Sequence, residues 1–138
     1  MKRILLPQIL VLLSVIVFSA CDNTKESPYI ILKGEDALEI TTDTVYVDLN
    51  TVRQLLVEVG YKGGGDPFFL RQIDGGDIID LRGTDDFELI SESYSSIKVQ
   101  KAVVTTHFSD DLMQNGSVVI VTVRISTDYS KSVCYRVN

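Results

Sequence analysis

The chain has 138 residues, with 13 lysines and arginines against 19 aspartates and glutamates, a formal net charge of −6, one histidine and no tryptophan. That length predicts one domain, and the Val, Ile, Leu and Tyr content suffices to bury a core, which argues against disorder. Nucleic-acid binding draws on clustered Lys and Arg; this acidic chain has no such cluster, and that class is set aside.

Met1, Lys2 and Arg3 form a short basic start. Ile4 to Phe18 is then almost wholly apolar, broken by Pro7, Gln8 and Ser14. The run has the length of a signal-peptide core and is shorter than the roughly 20 apolar residues a spanning helix needs. Ser19, Ala20 and Cys21 follow, then the polar stretch DNTKESP. This order resembles the signal sequence and lipobox of bacterial lipoproteins, although Phe18 stands where that family usually has Leu. The competing reading is a short anchor or buried helix that ends near a cysteine.

The lipoprotein resemblance implies that residues 1–20 are a signal peptide, cut at the Ala20–Cys21 bond. It implies that the Cys21 thiol carries a diacylglyceryl group and that the new amine is acylated, with palmitate for example. It places the protein in a bacterial cell envelope, with the outer membrane favoured over the inner. Asp22 speaks for both addresses: beside the cysteine it retains lipoproteins at the inner membrane in some bacteria, and in others nearby acids accompany surface export. Two linked acyl chains hold a bilayer much more firmly than one. Residues 21–28 would be the lipidated cysteine and a polar tether, whose seven residues Asp22 to Pro28 reach at most roughly 25 Å. Cleavage removes Lys2 and Arg3 and no acid, so the mature part holds 11 cations against 19 acids, a net charge of −8. Residues 29–138 then form a single domain close to its membrane.

Period-two alternation dominates that domain. LEIT and TVYVDL come first, the latter with Val45, Val47 and Leu49 on one face and Thr44, Tyr46 and Asp48 on the other. In NTVRQLLVEVG, a helix would align Val52, Leu55, Leu56 and Val59 between an Asn50 cap and Gly60. A strand aligns Leu55, Val57, Val59 and Tyr61, and the β-branched content and neighbouring strands favour it. Ile78–Ile79 also reads as strand. SVVIVTVRIS sets Val119, Val121, Val123 and Ile125 against Val118, Ile120, Thr122 and Arg124, and SVCYRV sets Val133, Tyr135 and Val137 against Cys134 and Arg136. KGGGDP, DGGD, RGTDD, SDDLMQNG and STDYSK supply turn chemistry between the runs. The expected fold is an all-β, antiparallel β-sandwich.

LEITTDTVYVDLNTVRQLLVEV resembles the opening two strands of bacterial immunoglobulin-like domains, and SVVIVTVRISTDYSKSVCYRV is similar to their last hairpin. The resemblance implies an immunoglobulin-like sandwich. It implies no activity, since such domains serve as adhesins, spacers and carbohydrate-binding modules.

Candidate chemistry is sparse. Asp74, Asp77, Asp80, Asp85 and Asp86 offer oxygens to calcium, but their spacing is not that of an EF-hand, and solvated turn residues explain them better. No two acids are placed as a glycosidase pair. His107, in TTHFSDD, accompanies no nucleophile motif, and one His with one free Cys cannot complete a four-ligand zinc site. GYKGGGD lacks the order of a phosphate loop and reads as a hairpin or loop. With Cys21 lipidated, Cys134 has no partner within the chain; it is expected to be a small buried residue, with an exposed interchain thiol as the alternative. Tyr61, Phe68, Phe69, Tyr94 and Tyr129 lie in or beside loops, where rings stack on sugars or pack at edges, and at least one of Phe68 and Phe69 should point inward. The expectation is a non-catalytic, lipid-anchored envelope protein with no cofactor beyond its lipid, in a binding or structural role. The alternatives are a surface glycan- or protein-binding module, then a small envelope hydrolase.

Overall fold

The computed structural model describes residues 28–63, 65–126 and 129–138. Among them the chain forms β1 (Tyr29–Lys33), β2 (Thr44–Val47), β3 (Thr51–Tyr61), β4 (Phe68–Ile73), β5 (Ile78–Asp80), β6 (Phe87–Tyr94), β7 (Lys98–Phe108), β8 (Val118–Ser126) and β9 (Tyr129–Val137). One sheet has the order β1-β3-β7-β6, the other β2-β9-β8-β4-β5. All ladders are antiparallel except β2 with β9, which pairs Thr44 with Cys134 in parallel. This is the strand order of an immunoglobulin-like sandwich, with an added strand at each edge of the second sheet.

The ambiguous segment is the strand β3. Its inward residues Leu55, Val57, Val59 and Tyr61 are buried, whereas Val52, which a helix would have to bury, is 50% exposed. Pairing on both sides, with β1 and β7, fixes its backbone donors and acceptors in ladders and overrides the helical spacing. LEIT is no strand. Gly34 and Ala37 (φ 65°) reverse the chain after β1, and the segment returns through a single bridge from Glu39 to Lys33. The first strand is instead YIILK, which buries Ile30 and Leu32. KGGGDP joins β3 to β4 in opposite sheets, so it is a crossover rather than a hairpin.

Between the sheets, Val119, Val121 and Val123 of β8 and Val133, Tyr135 and Val137 of β9 meet the inward faces of β3 and β7. Phe108 packs edge-on to Tyr135 at 5.2 Å, and Phe69 meets Phe87 at 4.7 Å between centroids. Each such aliphatic or aromatic side chain contributes about 1.5–3 kcal/mol by leaving water. The described residues contain no disulfide; apolar packing joins the sheets, helped by Arg71 of β4, whose Nη1 donates to the Thr105 carbonyl of β7 at 3.2 Å.

The register gives the sandwich two distinct ends. Tyr29 pairs with Gly60, Tyr94 with Lys98 and Phe68 with Arg124, so the chain enters at the end that carries connections 62–67 and 95–97. The opposite end carries connections 48–50, 74–77 and 109–117.

Candidate functional site

Tyr29 lies on the outer face of β1, with its ring over Gly60: a Cβ on Gly60 would meet the ring at 2.5 Å. Its hydroxyl donates to Glu58 at 2.7 Å, and burial together with that carboxylate pushes the phenol up to about 12. The entry of the chain is thereby pinned to the sheet.

Behind it is a polar network inside the sandwich. Gln100 is buried at an inward position of β7, where alternation would otherwise place an apolar residue. Its Nε2 donates to Tyr61 Oη at 3.2 Å and to Glu92 at 2.6 Å, and its Oε1 accepts from Arg82 at 2.7 Å. Arg82 also donates from Nε to the Pro67 carbonyl at 3.1 Å, and lies 5.3 and 4.9 Å from the Phe69 and Phe87 ring centroids. Tyr61 donates to Asp66 at 3.3 Å, and burial, with Asp66 nearby, pushes its phenol up to about 12. The network ties the 62–67 connection to both sheets, and its members satisfy one another, which is what makes a buried polar cluster rigid. Sequence reasoning missed it; the signal was a glutamine in phase with Ala102, Val104 and Phe108.

The rim of this end presents two aromatic rings capped by cations. Phe68 is 45% exposed with the Arg124 guanidinium 5.1 Å from its centroid, and Tyr94 is 61% exposed with Lys98 Nζ at 5.4 Å. The hydrogen bond from Tyr94 to Glu92 raises its phenol. Of the other rings singled out from sequence, Tyr61 and Phe69 are buried and Tyr129 packs against the core.

Three of the five aspartates considered for calcium hold protein groups instead. Asp74 (φ 50°) accepts from Ser117 Oγ and from the Val118 amide, both at 2.9 Å, and joins two connections. Asp80 accepts from the Arg82 amide at 3.0 Å. Asp86 accepts from Arg71 Nη2 at 2.8 Å, while Asp77 and Asp85 are exposed. Among the described residues, no three His, Cys, Asp or Glu side chains converge on a common cation position.

His107 is exposed on the outer face of β7, its Nε2 3.7 Å from Asp86 Oδ1. The depression of about 210 Å³ beside it includes Thr51 and Ser109. Their hydroxyls are engaged elsewhere, Thr51 donating to the Asp48 carbonyl at 2.6 Å and Ser109 accepting from the Asp111 amide at 3.2 Å. Cys134 is not buried as expected. Strand parity turns it to the outer face of the second sheet, half-buried between Thr44 and Ile120.

Each outer sheet face has a shallow depression. One, of about 240 Å³, lies between Ala37 and Ile90 over Leu56 and Val103, flanked by Lys33 and Lys101. The other, of about 150 Å³, is lined by Leu70, Gln72, Ile78, Ile120, Thr122 and Arg124. Ala20 and Cys21, the expected cleavage and lipid sites, lie outside the described residues. Among the described residues no helix is long and apolar enough to cross a membrane. No protein-family model matches the chain, and no curated protein matches it.

Proposed function

We propose that the protein is a lipoprotein of a bacterial cell envelope, cleaved before Cys21, acylated there and non-catalytic, whose immunoglobulin-like domain binds or braces partners close to the membrane. The observation that carries this reading is the path of the chain into the fold. β1 begins at Tyr29, eight positions after Cys21, and its first side chain is clamped between Gly60 and Glu58. A tether of seven residues, reaching at most roughly 25 Å, leaves the domain almost no radius in which to work away from the bilayer. The opposite end is then the part offered outward. Its three connections hold Asp48, Asp74, Asp77, Asp110 and Asp111 and no lysine or arginine, a field that attracts cationic partners and repels acidic ones.

The test is metabolic labelling with an alkyne fatty acid in a bacterial host. The full chain incorporates label and stays with the membrane fraction, and Cys21→Ser loses both. Label retained by Cys21→Ser, or absent from the parent chain, overturns the assignment. Protease treatment of intact cells then tells a periplasm-facing domain, which survives, from a surface one, which is digested.

A further inference from the structure

We infer that the rim at the tether end is a lipid-contacting surface: Phe68, Tyr94, Lys98 and Arg124 rest on an anionic bilayer, and the sandwich stands end-on with its acidic pole outward. The inference rests on the anchored reading above for its geometry and adds a second, non-covalent membrane contact. Three observations support it.

The first is chain direction. Tyr29 and its pairing partner Gly60 lie at the end where β4 begins with Phe68, β6 ends with Tyr94 and β7 begins with Lys98. The 28 residues that precede Tyr29 therefore join the domain on this rim.

The second is side-chain chemistry. Phe68 and Tyr94 are large rings left 45% and 61% exposed, and each has a cation beside it, Arg124 at 5.1 Å and Lys98 at 5.4 Å; Tyr94 also bonds Glu92. Aromatic rings favour the headgroup level of a bilayer. Long cations keep their stems on apolar surface while the head stays in water or meets lipid phosphate. Each ring–cation pair thus presents the two groups an interface takes together.

The third is charge polarity in a strongly acidic chain. Among the described residues the rim has Lys62, Lys98 and Arg124 against Asp66 and Glu92, with Glu58 and Asp80 two positions further in, so it is close to neutral. Glu92 accepts from Gln100 and Asp66 from Tyr61, and both carboxylates stay exposed. The opposite end has five aspartates and no cation in its connections. An anionic surface therefore meets least repulsion when the rim faces it and most when the acidic pole does.

The chain has no tryptophan, so single-tryptophan variants report depth without interference. Phe68→Trp, Tyr94→Trp and, at the opposite end, Leu112→Trp, whose parent side chain is 70% exposed, are placed in the full protein. Each is reconstituted into vesicles of phosphatidylethanolamine and phosphatidylglycerol with brominated acyl chains. Acylation of Cys21 is measured by mass on the same samples. With Cys21 acylated, Phe68→Trp and Tyr94→Trp shift to the blue and are quenched, and Leu112→Trp is neither. Rim emission unchanged by bromine, or quenching equal at Leu112→Trp, overturns the rim contact while leaving the anchor standing. If Cys21 carries no lipid the anchor falls, and the rim is judged on that unlipidated protein. Binding to the same vesicles with rim quenching, weakened roughly 25-fold by Lys98→Gln with Arg124→Gln, keeps the inference. No binding ends it.

Discussion

Gly60 is the residue whose identity the fold most plainly dictates. It occupies an outward position on a central strand, where glycine ordinarily weakens a sheet, and the Tyr29 ring fills the space a side chain would take. Gly60→Ala therefore expels Tyr29 and costs about 1–3 kcal/mol, as overpacking does. In a Tyr29→Ala background the same substitution costs nothing, because alanine is favoured over glycine in a strand by roughly 0.5–1 kcal/mol. Denaturant titration of the four proteins of this cycle reads the coupling; equal costs in both backgrounds contradict the clamp. Gln100 makes a different point. Gln100→Leu matches the apolar phase of β7 but strips partners from Arg82, Tyr61 and Glu92. It should lose about 1–3 kcal/mol despite being the more hydrophobic residue; a gain in the unfolding midpoint would show that the network is not satisfied as described.

The phenols set an alkaline limit. Burial, aided at Tyr29 by Glu58 and at Tyr61 by Asp66, raises Tyr29, Tyr61 and Tyr135 from 10.0 to about 12. A phenol raised in the folded state favours folding as long as it keeps its proton in the folded protein. That contribution is whole below pH 10 and is lost between pH 10 and about 12, as the unfolded phenols ionise first. Urea midpoints should thus fall across this window, and Tyr135→Phe should flatten the fall. An unchanged slope in Tyr135→Phe would remove that residue from the explanation.

At the scale of elements, the sandwich is strongest along its middle and weakest along one side. β3 and β7 pair over 11 residues and each has a further strand beyond it. β5 has three residues, all exposed, and β6 is an edge strand interrupted by a register shift between Leu89 and Ser91. Amide exchange should rank β3, β7 and β8 as most protected and β5 and β6 as least, because opening an edge exposes little apolar surface. Uniform protection across both groups would contradict that ranking. Leu55→Ala, in the centre of β3, should cost about 2–5 kcal/mol.

The same contrast explains what could be read from the sequence. β8 and β9 bury one clean face and leave the other mixed, so alternation located them and oriented every residue from Val118 to Ile125. β7 escaped notice because both of its faces are partly apolar, with Val99 and Val103 outside and Gln100 and Thr106 inside, which blurs a period of two. LEIT has the composition of a strand, yet Gly34 and Ala37 bend the chain so that its pairing with β1 stops at one isolated bridge, Glu39 with Lys33. Cys134 was legible in parity and misjudged in burial, since small apolar character says nothing about which face a residue is on. The tether-end network was not legible as a site, because Tyr61, Arg82, Glu92 and Gln100 come from four separate segments and meet only when the sheets close.

The whole molecule is polar from end to end. One end receives the chain from Cys21 and carries ring–cation pairs; the other is a cluster of aspartate-bearing connections. The proposed anchor would convert that asymmetry into a direction, with partners met at the acidic pole and lipid at the rim. The central claim is the anchor itself, and the intact mass of the protein extracted from bacterial membranes tests it most directly. The account predicts a chain that starts at Cys21, lacks residues 1–20 and carries a diacylglyceryl group on the thiol. A chain that retains Met1, or one cut elsewhere with Cys21 unmodified, would contradict it.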